Sequence, residues 1–161
     1  MTGSLPYPIP LLSTEIKIEM LLSKRRRGLA YPYAMTENGE DIIGVMDIFL
    51  RERNSDYELG YWVGRDYWGL GYAPEAAKAV MAEAQRSLNV DRFVAGVFAD
   101  NPASMRVLEK LGFKNTGIEG DYFSMARLKH AESIGFALDL TSQLPNHLQT
   151  DCAPLIDAHQ G

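Results

Sequence analysis

The chain has a single cysteine, Cys152, among its 161 residues. One thiol cannot close an internal disulfide, so a small secreted fold stapled by disulfides is excluded. Cys152 is also a weak candidate nucleophile, with Pro154 close by and His147 and His159 only loosely near it. Long apolar runs are missing too. No stretch approaches the roughly 18 residues that a membrane helix needs. No basic region followed by an apolar core marks a signal peptide, so a cytoplasmic protein with no membrane partner is expected. Positive charge is scarce: 16 Lys and Arg stand against 21 Asp and Glu, a formal net charge of -5. Duplex DNA is bound through counterion release at a basic face, so no nucleic-acid partner is expected. The Lys24-Arg25-Arg26-Arg27 run falls at the end of an expected helix, where cations suit the dipole. The acidity is no obstacle to a phosphorylated ligand, because backbone amides hold phosphate without cationic side chains.

What is present is the composition of one globular domain, 46% hydrophobic and 23% charged, which rules out a disordered chain. Residues 1–12 carry Pro6, Pro8 and Pro10 and read as an extended entry segment. Ser13 or Thr14 is suited to cap a helix running to about Arg27 and stopped by Gly28. Three strand patterns follow, over residues 29–36, 42–50 and 57–63. Asn38-Gly39 marks the first turn, Arg53-Asn54-Ser55-Asp56 the second, and Gly44 is a candidate bulge. The hydrophobic period then changes. A glycine-punctuated loop over 64–71 leads, with Pro74 at the first helical position, into a helix carrying Ala76, Ala77, Val80, Met81, Ala84 and Leu88 on one stripe. Residues 92–99 form a continuous apolar strand, as expected of one buried on both faces. Asn101-Pro102 opens a second helix closed by Gly112. Strands follow near 114–122 and 134–140, and residues 142–161 form a polar tail. The fold class is thus α/β of the α+β kind: a mixed, mostly antiparallel sheet with one parallel crossover and flanking helices. Ligands commonly bind at such a switch in strand direction.

Trp68-Gly69-Leu70-Gly71-Tyr72-Ala73-Pro74 is the most informative stretch. Its glycines let backbone approach a ligand, and the following helix presents unpaired N–H groups and a positive dipole end. That is a pyrophosphate cradle; a tight strand-to-helix turn without a ligand is the plainer alternative. The dinucleotide fingerprint G-x-G-x-x-G is not completed, since Pro74 stands where its third glycine would be. Asp91 starts the next strand instead of ending one, which unsuits it to a ribose. No Gly-Lys-Ser/Thr of a P-loop is present.

These blocks resemble the GNAT superfamily of N-acetyltransferases, in particular the RimJ/RimL-like branch that acetylates ribosomal-protein N-termini. The matching blocks run in the family's order. They are Ile43-Gly44-Val45; Glu58-Leu59-Gly60-Tyr61-Trp62-Val63; Tyr67 through Ala76; and Asp100-Asn101-Pro102-Ala103-Ser104 leading into Val107 through Phe113. The resemblance spans about residues 12–141, so the expected domain is 1–141 and the tail 142–161.

The resemblance implies acetyl-CoA as donor and a primary amine, a protein N-terminus or a small molecule, as acceptor, with no metal. It implies that Trp68, Gly69, Leu70, Gly71, Tyr72 and Ala73 hold the CoA pyrophosphate. Tyr61, Trp62 and Val63 would offer backbone groups to the pantetheine arm and an N–H to the thioester oxygen. Asn101 would contact the pantetheine or a nearby water, and Ser104 would reach the leaving sulfur. Attack by an amine that is mostly protonated at neutral pH requires a base, and a backbone N–H can stabilise the oxyanion. Glu58, in phase with Gly60 and Trp62, is the candidate base; a solvated strand charge is its plain reading. Ser104 is a candidate general acid, although a serine at a helix start often only bonds backbone. Tyr122 is the alternative proton donor, and His130 reads as a surface residue.

Two departures from the family pattern stand out. Asp66 occupies a position where Gln or Arg is usual, so its carboxylate is expected to point away from the cradle. The family's first strand and helix have no room ahead of residue 13, which bears on acceptor recognition and on one sheet edge. An uncovered edge near 29–36 would invite a homodimer or strand exchange. Beside a working acetyltransferase stand two other readings: a module that binds acyl-CoA or a partner without turnover, and a structural domain with an empty cradle.

Overall fold

The computed structural model describes residues 11–51, 56–124 and 128–140. Its elements run α1 (Leu11–Arg26), β1 (Ala30–Thr36), β2 (Ile42–Leu50), β3 (Tyr57–Val63), α2 (Tyr72–Leu88), β4 (Arg92–Phe98), α3 (Pro102–Lys110), β5 (Lys114–Ser124) and β6 (Lys129–Asp139). The expected entry segment lies outside the described residues up to Leu11, as do most of the Arg53–Asp56 turn and the tail with Cys152.

The strands form one six-stranded sheet in the order β1-β2-β3-β4-β6-β5. β1, β2 and β3 make the expected antiparallel meander, with Met46 opposite Tyr61 and Asp47 opposite Gly60. β3 and β4 are the one parallel pair. Their helical crossover is α2, and β4 continues antiparallel to β6. The Asn38-Gly39 turn behaves as its chemistry requires. Gly39 has φ 85°, and Asn38 Oδ1 accepts from the amides of Glu40 and Asp41 at 2.9 and 3.0 Å. The bulge falls beside Gly44: Met35 pairs with Gly44 but Thr36 pairs with Ile42.

The core lies between one sheet face and the helices α2 and α3. Met46, Ile48, Leu59, Phe93, Ala95, Val97, Phe136 and Leu138 meet Ala77, Val80, Met81 and Ala84 of α2 and Leu108 of α3. Side chains alternate across a strand, so Asp47, Glu58, Gly60, Trp62, Gly96, Ser133 and Gly135 belong to the opposite face. Helix α1 packs on β1.

Three expectations are corrected. Helix α1 begins at Leu11, so Ser13 and Thr14 lie within its first turn instead of capping it. Pro74 is the third residue of α2, because Gly71 at φ 91° serves as its cap and lets the helix start at Tyr72. β4 is buried on both faces as expected over Phe93, Val94 and Ala95, but its Arg92 and Gly96 are exposed. The last two strands are also longer than the sequence suggests, reaching Ser124 and starting at Lys129.

Candidate active site

The parallel ladder is short. Tyr57 pairs with Phe93 and Glu58 with Val94, and pairing ends there although β3 continues to Val63 and β4 to Phe98. Beyond Glu58 the two strands therefore leave an opening between their C-terminal ends. The segments that follow these ends carry the N-termini of α2 and α3, so two sets of helix-start amides stand at the same end of the sheet.

The loop into α2 is shaped by its glycines. Gly69 and Gly71 hold φ 79° and 91°, and no heavy atom lies within 4 Å of where a Cβ would stand at either. Trp68 and Leu70 are exposed. The Trp68 indole donates to the Val63 carbonyl at 2.7 Å and ties the loop back to β3. Helix α2 has no side-chain cap. An open, uncapped cradle of this kind fits an anion held by backbone amides. The Tyr72 hydroxyl donates to Glu37 in the β1–β2 turn, so it is already engaged. Asp66 is exposed in the short 3-10 turn Arg65–Tyr67.

At α3 the expected cap is in place. Asn101 Oδ1 accepts from the Ser104 amide at 3.2 Å, and its Nδ2 donates to Ser104 Oγ at 3.0 Å. The Tyr61 hydroxyl is buried without a hydrogen-bond partner. Burial raises its pKa, and nearby Ser104 works against that rise without being aligned for a bond. Asn101, Ser104 and Tyr61 thus form one cluster on the helix side of the opening.

Glu58 is not part of that cluster. It projects from the opposite face, where Arg51 donates to Glu58 and to Glu119. The two carboxylates raise the Arg51 pKa further, against the effect of burial. Gly96 makes room for the cluster: a Cβ there would stand 2.9 Å from Glu119 Oε2. Tyr122 stands on the edge strand β5, exposed and paired with Ala131. His130 is exposed, 3.6 Å from Asp121. Among the described residues no group of three or more His, Cys, Asp or Glu is placed to hold a metal ion.

Sequence reasoning missed Asp47. It is half-buried on the face of Glu58, and its Oδ1 is buried without a hydrogen-bond partner. Burial raises its pKa from 3.8 to about 6, and Lys17 of α1 offsets this only in part. The signal was legible: Asp47 is the lone charge within Ile42–Leu50, an otherwise apolar strand. Arg51 and Glu119 were also missed, because only the β5–β6 return brings residues 51 and 119 together.

Residues 3–114 match the family model described as an acetyltransferase (GNAT) domain. The N-acetyltransferase p20 of Bacillus licheniformis is 30% identical over 107 residues, covering 65% of this chain and 60% of that protein. The ribosomal-protein-serine acetyltransferase of Escherichia coli is 30% identical over 115 residues, covering 71% of this chain and 59% of that protein. The chain spans about 60% of the length of each of these two relatives. Among solved structures, Mycobacterium smegmatis RimJ, in complex with CoA-disulfide, superposes with a TM-score of 0.72 at 21% identity. The match covers 82% of this chain and 63% of that one. RimL, an L7/L12 α-N-protein acetyltransferase solved with coenzyme A, gives 0.72 at 21% identity over 85% of this chain and 77% of its own.

Proposed function

The chain belongs to the GNAT acetyltransferase family, and from that premise we propose that it transfers an acetyl group from acetyl-CoA to a primary amine. The observation that carries this reading is the opening between β3 and β4, with the N-termini of α2 and α3 at its end. The backbone of Gly69, Leu70, Gly71, Tyr72 and Ala73, beside Trp68, would hold the pyrophosphate. The backbone of Tyr61, Trp62 and Val63, beyond the end of the parallel ladder, would take the pantetheine arm. The donor supplies an activated acyl carbon. Asn101 orients the Ser104 hydroxyl, which is assigned the proton donated to the departing thiolate. Tyr122 is the second candidate donor, from the edge strand. We assign Glu58 a positioning role, because one of its oxygens already accepts from Arg51.

The acceptor is a protein N-terminus or a small amine; the likeness to relatives that modify ribosomal proteins supports the former. A cytoplasmic setting agrees with the finding that no described helix is long and apolar enough to cross a membrane. A homodimer would form along β1, one of the two edges of the sheet. Pro32 removes one donor from that edge, so the remaining residues would carry the pairing. A clean monomer in light scattering at high concentration would exclude it.

Thermal denaturation with acetyl-CoA tests the cradle. Ligand at about 100 times its Kd should add roughly 2.7 kcal/mol, and no shift in Tm at millimolar ligand defeats the proposal. Thiol release with amines and N-terminal peptides then separates transfer from binding without turnover. Activity unchanged in Glu58→Gln is expected from a positioning role met by the amide; a loss confined to the pH profile would make Glu58 the base.

A further inference from the structure

On the face opposite the core, three carboxylates stand near the opening between β3 and β4. Glu58 and Glu119 share Arg51. Asp47 does not: its Oδ1 is buried and accepts no hydrogen bond. A buried acceptor without a donor is costly, and a native fold retains one rarely. Asp47 pairs across the ladder with Gly60. Gly60 stands two residues past Glu58, where pairing with β4 has ended, and it has no side chain to wall Asp47 off from the opening. The Phe49 ring leans over Gly60, with Cε1 3.2 Å from where a Cβ would stand, so an incoming group must pass this ring and not a β3 side chain. The titratable group that acts on Asp47 is the ammonium of Lys17 on α1.

Resting on the acetyltransferase reading, we propose that Asp47 is the acceptor site: its carboxylate binds the incoming ammonium and takes the proton that must leave before the amine can attack. The N–H bond of the ammonium breaks and an O–H bond forms on Asp47. The freed nitrogen lone pair then forms the amide bond to the acyl carbon as the carbon–sulfur bond breaks. The second nitrogen proton ends on the thiolate, and Asp47 returns its proton to solvent. Asp47 ionises at about pH 6, so it is a charged base at neutral pH and is lost as one below that value. Lys17 faces it from α1; Phe49, Val45, Gly60 and Pro32 are the neutral residues beside it on β2, β3 and β1.

Two measurements on the whole chain decide this. Carbon-13 NMR follows the Asp47 carboxyl titration with and without n-butylammonium chloride. Bound ammonium should lower the midpoint by about half a pH unit or more, while an equal concentration of sodium chloride should not. A midpoint unmoved by the amine overturns the proposal, whatever the outcome with acetyl-CoA. In thiol-release kinetics with n-butylamine and a Ser-initiated hexapeptide, Asp47→Asn should lower kcat/KM about a hundredfold. It should also abolish the acid limb near pH 6, and acetyl-CoA should still raise Tm as in the wild type. Lys17→Gln should move that limb upward, since a positive charge is removed. Wild-type kinetics in Asp47→Asn would overturn the proposal, whereas a wild-type Tm unmoved by acetyl-CoA would instead remove the transferase reading.

Discussion

Replacing Asp47 with asparagine should make the protein more stable at neutral pH, and the size of the gain follows from the structure. In the unfolded chain the carboxyl titrates near 3.8, and in the fold near 6. Below pH 3.8 it is neutral in both states and costs nothing extra. Between 3.8 and 6 folding takes up a proton, and above 6 the folded state carries the full cost of a poorly solvated charge. At about 1.4 kcal/mol per pH unit, a rise of about two units sets an upper bound of roughly 3 kcal/mol. Asp47 keeps one side toward water, and screening there reduces the effect. The asparagine also leaves an amide to satisfy. The expected gain at pH 7.5 is therefore roughly 1–2 kcal/mol, or about 3–6 °C in Tm for a chain of this size. Urea denaturation of the two proteins at pH 4.5 and pH 7.5 measures it. The gap should open with pH. A destabilised variant at pH 7.5, or an equal gap at both values, would refute the reasoning.

Other consequences follow from the ladder and the caps. Gly44→Ala would place a Cβ 2.6 Å from the Trp62 carbonyl oxygen; because that atom is backbone, β2 and β3 must part, and a loss of about 1–3 kcal/mol is expected in urea denaturation. An unchanged midpoint would contradict the close approach. Asn101→Ala removes the cap of α3 and should cost about 1 kcal/mol. Asn101→Asp keeps the oxygen that accepts from the Ser104 amide but removes the donor to Ser104 Oγ. It should hold Tm while lowering turnover, which checks whether Ser104 needs that orientation.

The parts of the fold that were legible in the sequence are those fixed by local chemistry. Asn38-Gly39, Asn101-Pro102 and the period change after Gly64 each name their own structure within a few residues. Strand β2 and strand β3 fall at the expected limits because turn-forming residues flank them in the sequence. The helix starts were less legible. Gly71 adopts a left-handed conformation that replaces a side-chain cap, and Ser13 and Thr14 offered a cap where the helix had already begun. The site divides the same way. The loop Trp68–Ala73 is contiguous and was visible. The Arg51–Glu58–Glu119 cluster joins strands distant in sequence, and nothing at residue 51 alone announces it. Asp47 could have been found, because one carboxylate inside a strand such as Ile-Ile-Gly-Val-Met-Asp-Ile-Phe-Leu breaks the apolar pattern.

The formal charge of -5 bears differently on the two reactants of the proposed reaction. The donor is an anion, and the uncapped start of α2 offers it polarised amides. The acceptor is a cation at neutral pH, and the face that carries Asp47, Glu58 and Glu119 is the one suited to it. Arg51 offsets one of those three carboxylates and Lys17 acts on Asp47, so three negative charges stand against two positive ones. An amine is thus drawn to the side of the sheet where no phosphate would be held. The cost of leaving Asp47 Oδ1 without a donor falls on stability, and the benefit falls on the step that needs an oxygen ready to accept a proton. A variant that is both more stable and less active is what that division predicts.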